Sequence, residues 1–97
     1  MALKETQKRF LRKHAHQLKP VVIIGDKGFT ENVLNELNQT LEHHELIKVR
    51  VNAGDREERD ELVETLCKKA CCNLVQRIGH IAILYRPAKK PKLKLPR

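Results

Sequence analysis

Serine and tryptophan are absent from the 97-residue chain, and only Phe10, Phe29 and Tyr85 are aromatic. Without serine there is no Ser/His/Asp nucleophilic grouping, and no enzyme activity is expected. The scarcity of rings excludes a second class of surface. A sheet that stacks several bases on exposed aromatics needs more of them than this chain holds. No window approaches the roughly 20 apolar residues of a membrane span. Met1–Leu18 is basic throughout and lacks the apolar stretch of a signal peptide. The expected address is therefore the cytoplasm, with no membrane partner. Cysteine is sparse and clustered: Cys67, Cys71 and Cys72 are an odd number within one predicted helix, which is not a disulfide framework. They lack the paired Cys-x-x-Cys spacing and flanking histidines of a zinc site, so small, half-buried thiols are expected. No metal and no cofactor are expected.

What the chain has in excess is positive charge, and its placement is uneven. The net charge is +8, split as +5 over residues 1–29, −4 over 30–72 and +7 over 73–97. Basic ends around an acidic middle are the electrostatic pattern of a polyanion binder. The acidic stretch Asp55, Glu57, Glu58, Asp60, Glu61 and Glu64 is interleaved with Arg56 and Arg59. That spacing spreads the carboxylates around a solvated helix start, which accounts for them better than a metal site does.

Periodicity predicts the elements. Residues 4–18 read as a helix, with Phe10, Leu11, Ala15 and Leu18 on an apolar stripe and Lys4, Lys8 and Arg12 on a basic one. Arg9 and Lys13 flank the basic stripe, and Pro20 closes the region. Val21–Ile24 is an uninterrupted β-branched run, which predicts a strand buried on both faces. Thr30 is a good N-cap for a helix over 30–44, with Val33, Leu34, Leu37 and Leu41 inward and His43 and His44 in its last turn. Glu45–Ala53 alternates, with Lys48 and Arg50 on the outer side. Asp55 and Glu58 form a capping box before a helix over 56–71. Leu74–Ile78 and Ile81–Tyr85 are strands joined by a Gly79-His80 hairpin. Residues 87–97 are a basic, proline-containing tail that should not fold on its own. The expectation is one domain over 1–86, α/β in class. It is a two-layer sandwich of order α-β-α-β-α-β-β with a mixed four-stranded sheet.

Between the first strand and the second helix stands Gly25-Asp26-Lys27-Gly28. It is not a P-loop, which needs Gly-Lys-Ser/Thr where this chain has Gly28-Phe29-Thr30, and it lacks the third glycine of a dinucleotide fingerprint. Two readings are left. Glycines at a helix start let a nucleic-acid backbone approach, as in the Gly-x-x-Gly clamp; equally, they serve an ordinary tight turn. Lys27 favours the first reading and Asp26 opposes it. Phe29 is expected to plug the core at the helix entry.

Three separated stretches then resemble a known family: Lys19-Pro20 running into "VVIIGDKGFT" at 21–30, "LEHHELIKVRV" at 41–51 and "IGHIAILYRP" at 78–87. They are similar to the CRM domain family, named for chloroplast RNA splicing and ribosome maturation, and most similar to its bacterial stand-alone, YhbY-like members. The resemblance implies a fold like the C-terminal domain of the third bacterial translation initiation factor. It also implies RNA binding and association with precursors of the large (50S) ribosomal subunit. The family's Gly-x-x-Gly loop falls on Gly25, Asp26, Lys27 and Gly28. The expected contacts are Lys4, Lys8, Arg9, Arg12 and Lys13 on the first helix, Lys19, the loop, and Lys48 and Arg50 if their sheet face is uncovered. Lys89, Lys90, Lys92, Lys94 and Arg97 of the tail would add non-specific attraction. The competing class is an adaptor that takes an acidic protein partner on the same basic ends. Nothing in the sequence requires a dimer, so a monomer is expected.

Overall fold

The computed structural model describes residues 3–97. Helices begin where the capping residues stand. Thr30 Oγ1 accepts the Val33 N–H at 3.1 Å and opens α2 (Glu31–His44). Asp55 Oδ1 accepts the Glu58 N–H at 2.9 Å while Glu58 Oε1 faces the Asp55 N–H at 3.5 Å, opening α3 (Arg56–Ala70). The first helix, α1 (Glu5–Ala15), stops short of Leu18 because the chain loosens into turns bonded three residues back, Lys13 to His16 and Ala15 to Leu18. The strands are β1 (Pro20–Ile24), β2 (Leu46–Val51), β3 (Asn73–Ile78) and β4 (Ile81–Tyr85). They form one sheet in the order β1-β2-β4-β3. β1 runs parallel to β2, and the other pairings are antiparallel. The α/β class, the element order and the mixed sheet are those expected.

Helices lie against both faces of the sheet. One sheet face, with Val22, Ile24, Ile47, Val49, Val51, Ala82 and Leu84, packs on Leu37 and Leu41 of α2 and Val63, Leu66 and Ala70 of α3. Phe29 packs against this cluster, as a core plug should. The opposite face carries a second, smaller core in which Leu11 and Ala15 of α1 meet Leu46, Val75, Ile83 and Tyr85. With 11 residues, α1 covers only part of that face. The expectation that β1 is buried on both sides therefore fails. Val22 and Ile24 are buried, but Val21 is 49% and Ile23 63% exposed. β1 has the ordinary alternation of a half-covered strand, hidden in the sequence because both sides are β-branched.

The C-terminal segment has neither helix nor strand, yet it is tied down. Glu45, buried at the α2–β2 junction, accepts the N–H of Ala88 on Oε2 at 3.0 Å and those of Lys92 and Leu93 on Oε1 at 2.8 and 3.0 Å. Leu93 and Leu95 then close over the second core. Just before this segment, Arg86 donates to Asn38 Oδ1, Asn38 O and Ala70 O, which joins α2 to the end of α3. Burial alone would push the Glu45 carboxyl up. The N–H donors of Ala88, Lys92 and Leu93 and the Lys92 ammonium outweigh it and hold the carboxyl below its ordinary value. A depressed carboxyl contributes stability above its unfolded-state value, and that stability is lost as pH falls through the folded-state value.

Ile24→Ala should cost roughly 2–4 kcal/mol in urea unfolding and Ile23→Ala within about 0.5 kcal/mol, although the two residues are adjacent. Glu45→Gln turns an amide donor toward backbone donors, so trypsin should cut at Lys89–Lys94 sooner than in the wild type. In the wild type, the amide-proton resonances of Ala88, Lys92 and Leu93 should shift together as pH falls below the ordinary carboxyl range and Glu45 takes up its proton.

Candidate nucleic-acid interface

The loop 25–28 leaves β1 as a tight turn closed by the Gly28 N–H on the Gly25 carbonyl at 2.9 Å. Its glycines differ in what they need. Gly28 has φ +64, a left-handed conformation that favours glycine over any residue with a Cβ. Gly25 has no left-handed φ, and a Cβ built on it would meet nothing within 4 Å. Neither backbone conformation nor internal packing requires glycine at 25, and its main chain is open to solvent. Asp26 and Lys27, at the turn's tip, are both exposed.

Register sets what lies beside this loop. Ile23 is opposite Arg50, Arg50 opposite Ile81, and Ile81 opposite Ile78. These four form one row across the sheet, on α1's side but beyond the α1 core. Ile23 and Ile78 are 63% and 60% exposed. Arg50 is exposed as well, held by its Nε donating to Asn52 Oδ1 at 3.0 Å. Lys48, two residues earlier in β2, points to the same side. The sheet face that Lys48 and Arg50 needed is thus open. Farther along, Arg12, Lys13, His16 and Gln17 line a shallow pocket with Gln76 of β3.

The expected residues are not all gathered there. Arg9 and Lys13 are exposed on α1, Lys8 is half-buried, and Arg12 is partly neutralised by Glu5 Oε1 at 3.2 Å. Lys4 caps the far end of α1 with Gln7. Lys19 precedes β1, at the opposite end of that strand from the glycine loop. The tail is anchored beside α2, with Lys92 Nζ 3.5 Å from His43 O and the Lys89 N–H on Glu42 Oε1 at 3.0 Å. Ile23, Ile78, His16, Gln17 and Gln76 were not singled out in the sequence. Alternation would have marked Ile23 as surface only if the uncovered face had been known.

Charge is sorted by the sheet. α1 with its cap carries Lys4, Lys8, Arg9, Arg12 and Lys13 against Glu5 alone. α2 has Glu31, Glu36 and Glu42 and no Lys or Arg, and α3 starts with the acidic run. Between the loop and α3 lies a cleft lined by Asp26, Glu58 and Glu61. An anion is repelled there, so the favourable approach to the loop is from the open sheet face. Among the described residues, no group of three or more His, Cys, Asp or Glu is placed to hold a metal ion. Cys67 and Cys72 are half-buried and Cys71 exposed, all as free thiols.

Known proteins resemble this chain in sequence and, for one solved structure, in fold. The chain is 46% identical over 95 residues to an RNA-binding protein of Haemophilus influenzae, covering 98% of this chain and 96% of that one. It is 43% identical over 95 residues to a probable RNA-binding protein of Pseudomonas aeruginosa, covering 98% and 91%. The solution structure of a hypothetical protein from Staphylococcus aureus superimposes with a TM-score of 0.85 at 41% identity, covering 98% of this chain and 100% of that one. The CRS1/YhbY (CRM) domain profile matches residues 3–86, and with these likenesses in fold and sequence the chain belongs to that family.

Proposed function

We propose that this protein binds RNA, holding its backbone at the loop 25–28 and on the open sheet face, with no catalytic step. The observation that carries the reading is Gly25. The turn does not need a glycine there, but an incoming phosphodiester backbone does, because a Cβ would stand between it and the main chain. Lys27 supplies a mobile cation at the tip. Arg50 and Lys48 extend the positive surface across the sheet, and Arg12 and Lys13 of α1 border it. With three aromatic residues in the chain, of which Tyr85 is buried, recognition rests on backbone and shape rather than stacking. The names of the relatives support an RNA ligand. The likeness to stand-alone YhbY-like proteins supports ribosomal RNA of large-subunit precursors as the target, and assembly of that subunit as the role. The protein acts as a monomer in the cytoplasm in this reading.

If Arg12, Lys13, Lys27, Lys48 and Arg50 each neutralise a phosphate, log K should fall with log salt at a slope of roughly −3.5. Fluorescence titration of labelled large-subunit RNA fragments over a salt series measures it, and a flat response would refute the proposal. Gly25→Ala and Lys27→Asp should each bind several-fold more weakly with unchanged thermal unfolding. Gly28→Ala should instead lose about 1 kcal/mol of stability through its left-handed φ. An acidic-protein adaptor would be indifferent to Gly25→Ala.

A further inference from the structure

A cluster of three arginines lies outside the surface described above. Arg56 opens α3, Arg59 follows one turn on, and Arg77 reaches them from β3. With Gly79 of the hairpin they line one small pocket. Within the fold their charges are only partly answered. Arg77 Nε meets Asp60 Oδ1, and its Nη1 donates to Gly79 O at 2.7 Å. Arg59 Nη1 donates to Gly54 O at 2.9 Å, but its Nε is buried without a partner among the described residues. Arg56 is exposed, and neither it nor Arg59 has a carboxylate within ion-pair distance among the described residues. Three guanidiniums around one space, with Asp60 as their single carboxylate partner among the described residues, repel one another unless an anion joins them.

We propose that Arg56, Arg59 and Arg77 form a second phosphate site, which takes a backbone phosphate of the same RNA strand held at the glycine loop. The proposal rests on the RNA reading and adds where the strand goes. Parallel pairing of β1 with β2 and antiparallel pairing of β4 bring residues 25–28, 52–54 and 79–80 to one end of the sheet. The loop leaves the β1 edge and the arginine pocket sits at the β3 edge. Three inter-strand spacings separate them, about 14 Å. Several unpaired nucleotides span that width, along the Ile23–Arg50–Ile81–Ile78 row and around the hairpin at Gly79. Guanidinium forks suit the oxygens of a phosphodiester better than lysine does.

The test uses the full chain, labelled large-subunit RNA fragments and inorganic phosphate. Arg56→Gln removes a side chain with no internal bond among the described residues, so folding is unaffected. Arg56→Gln/Arg59→Gln is the stronger variant, with its fold checked by circular dichroism. Arg56→Gln should weaken RNA binding several-fold and make the salt slope shallower by about 0.7. Its effect should multiply with that of Lys27→Asp, because the two sites are independent. Inorganic phosphate at millimolar concentration should move the Arg59 and Arg77 Nε–H resonances, as RNA does. Wild-type affinity and slope in both arginine variants would overturn the second site while leaving the loop reading intact. Phosphate-induced shifts without any loss of RNA affinity would overturn it too, as a site for free anion alone. A flat salt response in the wild type would instead defeat the RNA reading itself.

Discussion

The parallel pairing of β1 with β2 is the constraint on which the rest of this molecule depends. Parallel neighbours need a crossover, and α2 supplies it over the face that carries Val22, Ile24, Val49 and Val51. The pairing continues past the strands, with the Asn52 N–H on the Ile24 carbonyl at 2.8 Å. It therefore fixes the start of the glycine loop against the end of β2. The Val51 N–H on the His80 carbonyl at 2.7 Å brings the hairpin to the same place. Three turns that are far apart in the chain become one edge.

The sheet also separates charge. The acidic helices share one side, where their carboxylates meet Arg77, Arg86 and Lys68, and the basic α1 takes the other. This arrangement leaves the open half-face of a chain of net charge +8 positive. The same half-face exposes Ile23 and Ile78, because α1 is too short to reach them.

Glu45 shows how one residue joins separate parts of the fold. It ends α2 at φ +63, begins the approach to β2 and receives three backbone donors from the C-terminal segment. A buried carboxylate without those donors would be strongly unfavourable. The acid and the segment thus need each other, and the leucines that follow complete the second core. In the sequence this residue is one more glutamate at the head of a strand, and the segment is one more basic tail.

Local chemistry was legible from the chain alone. Thr30 and the Asp55/Glu58 box marked the helix starts, and alternation marked β2. The spacing of Leu37 and Leu41 marked the buried side of α2, and Gly25–Gly28 stood out between strand and helix. Each depends on interactions within a few residues, so sequence and outcome coincide. What no local rule contains was decided by tertiary structure: which sheet face α1 leaves open, that Gly25 has free space while Gly28 has a conformational need, and that Arg77 comes to stand beside Arg56 and Arg59. Those facts come from pairing register and helix length, which place residues dozens of positions apart on one surface.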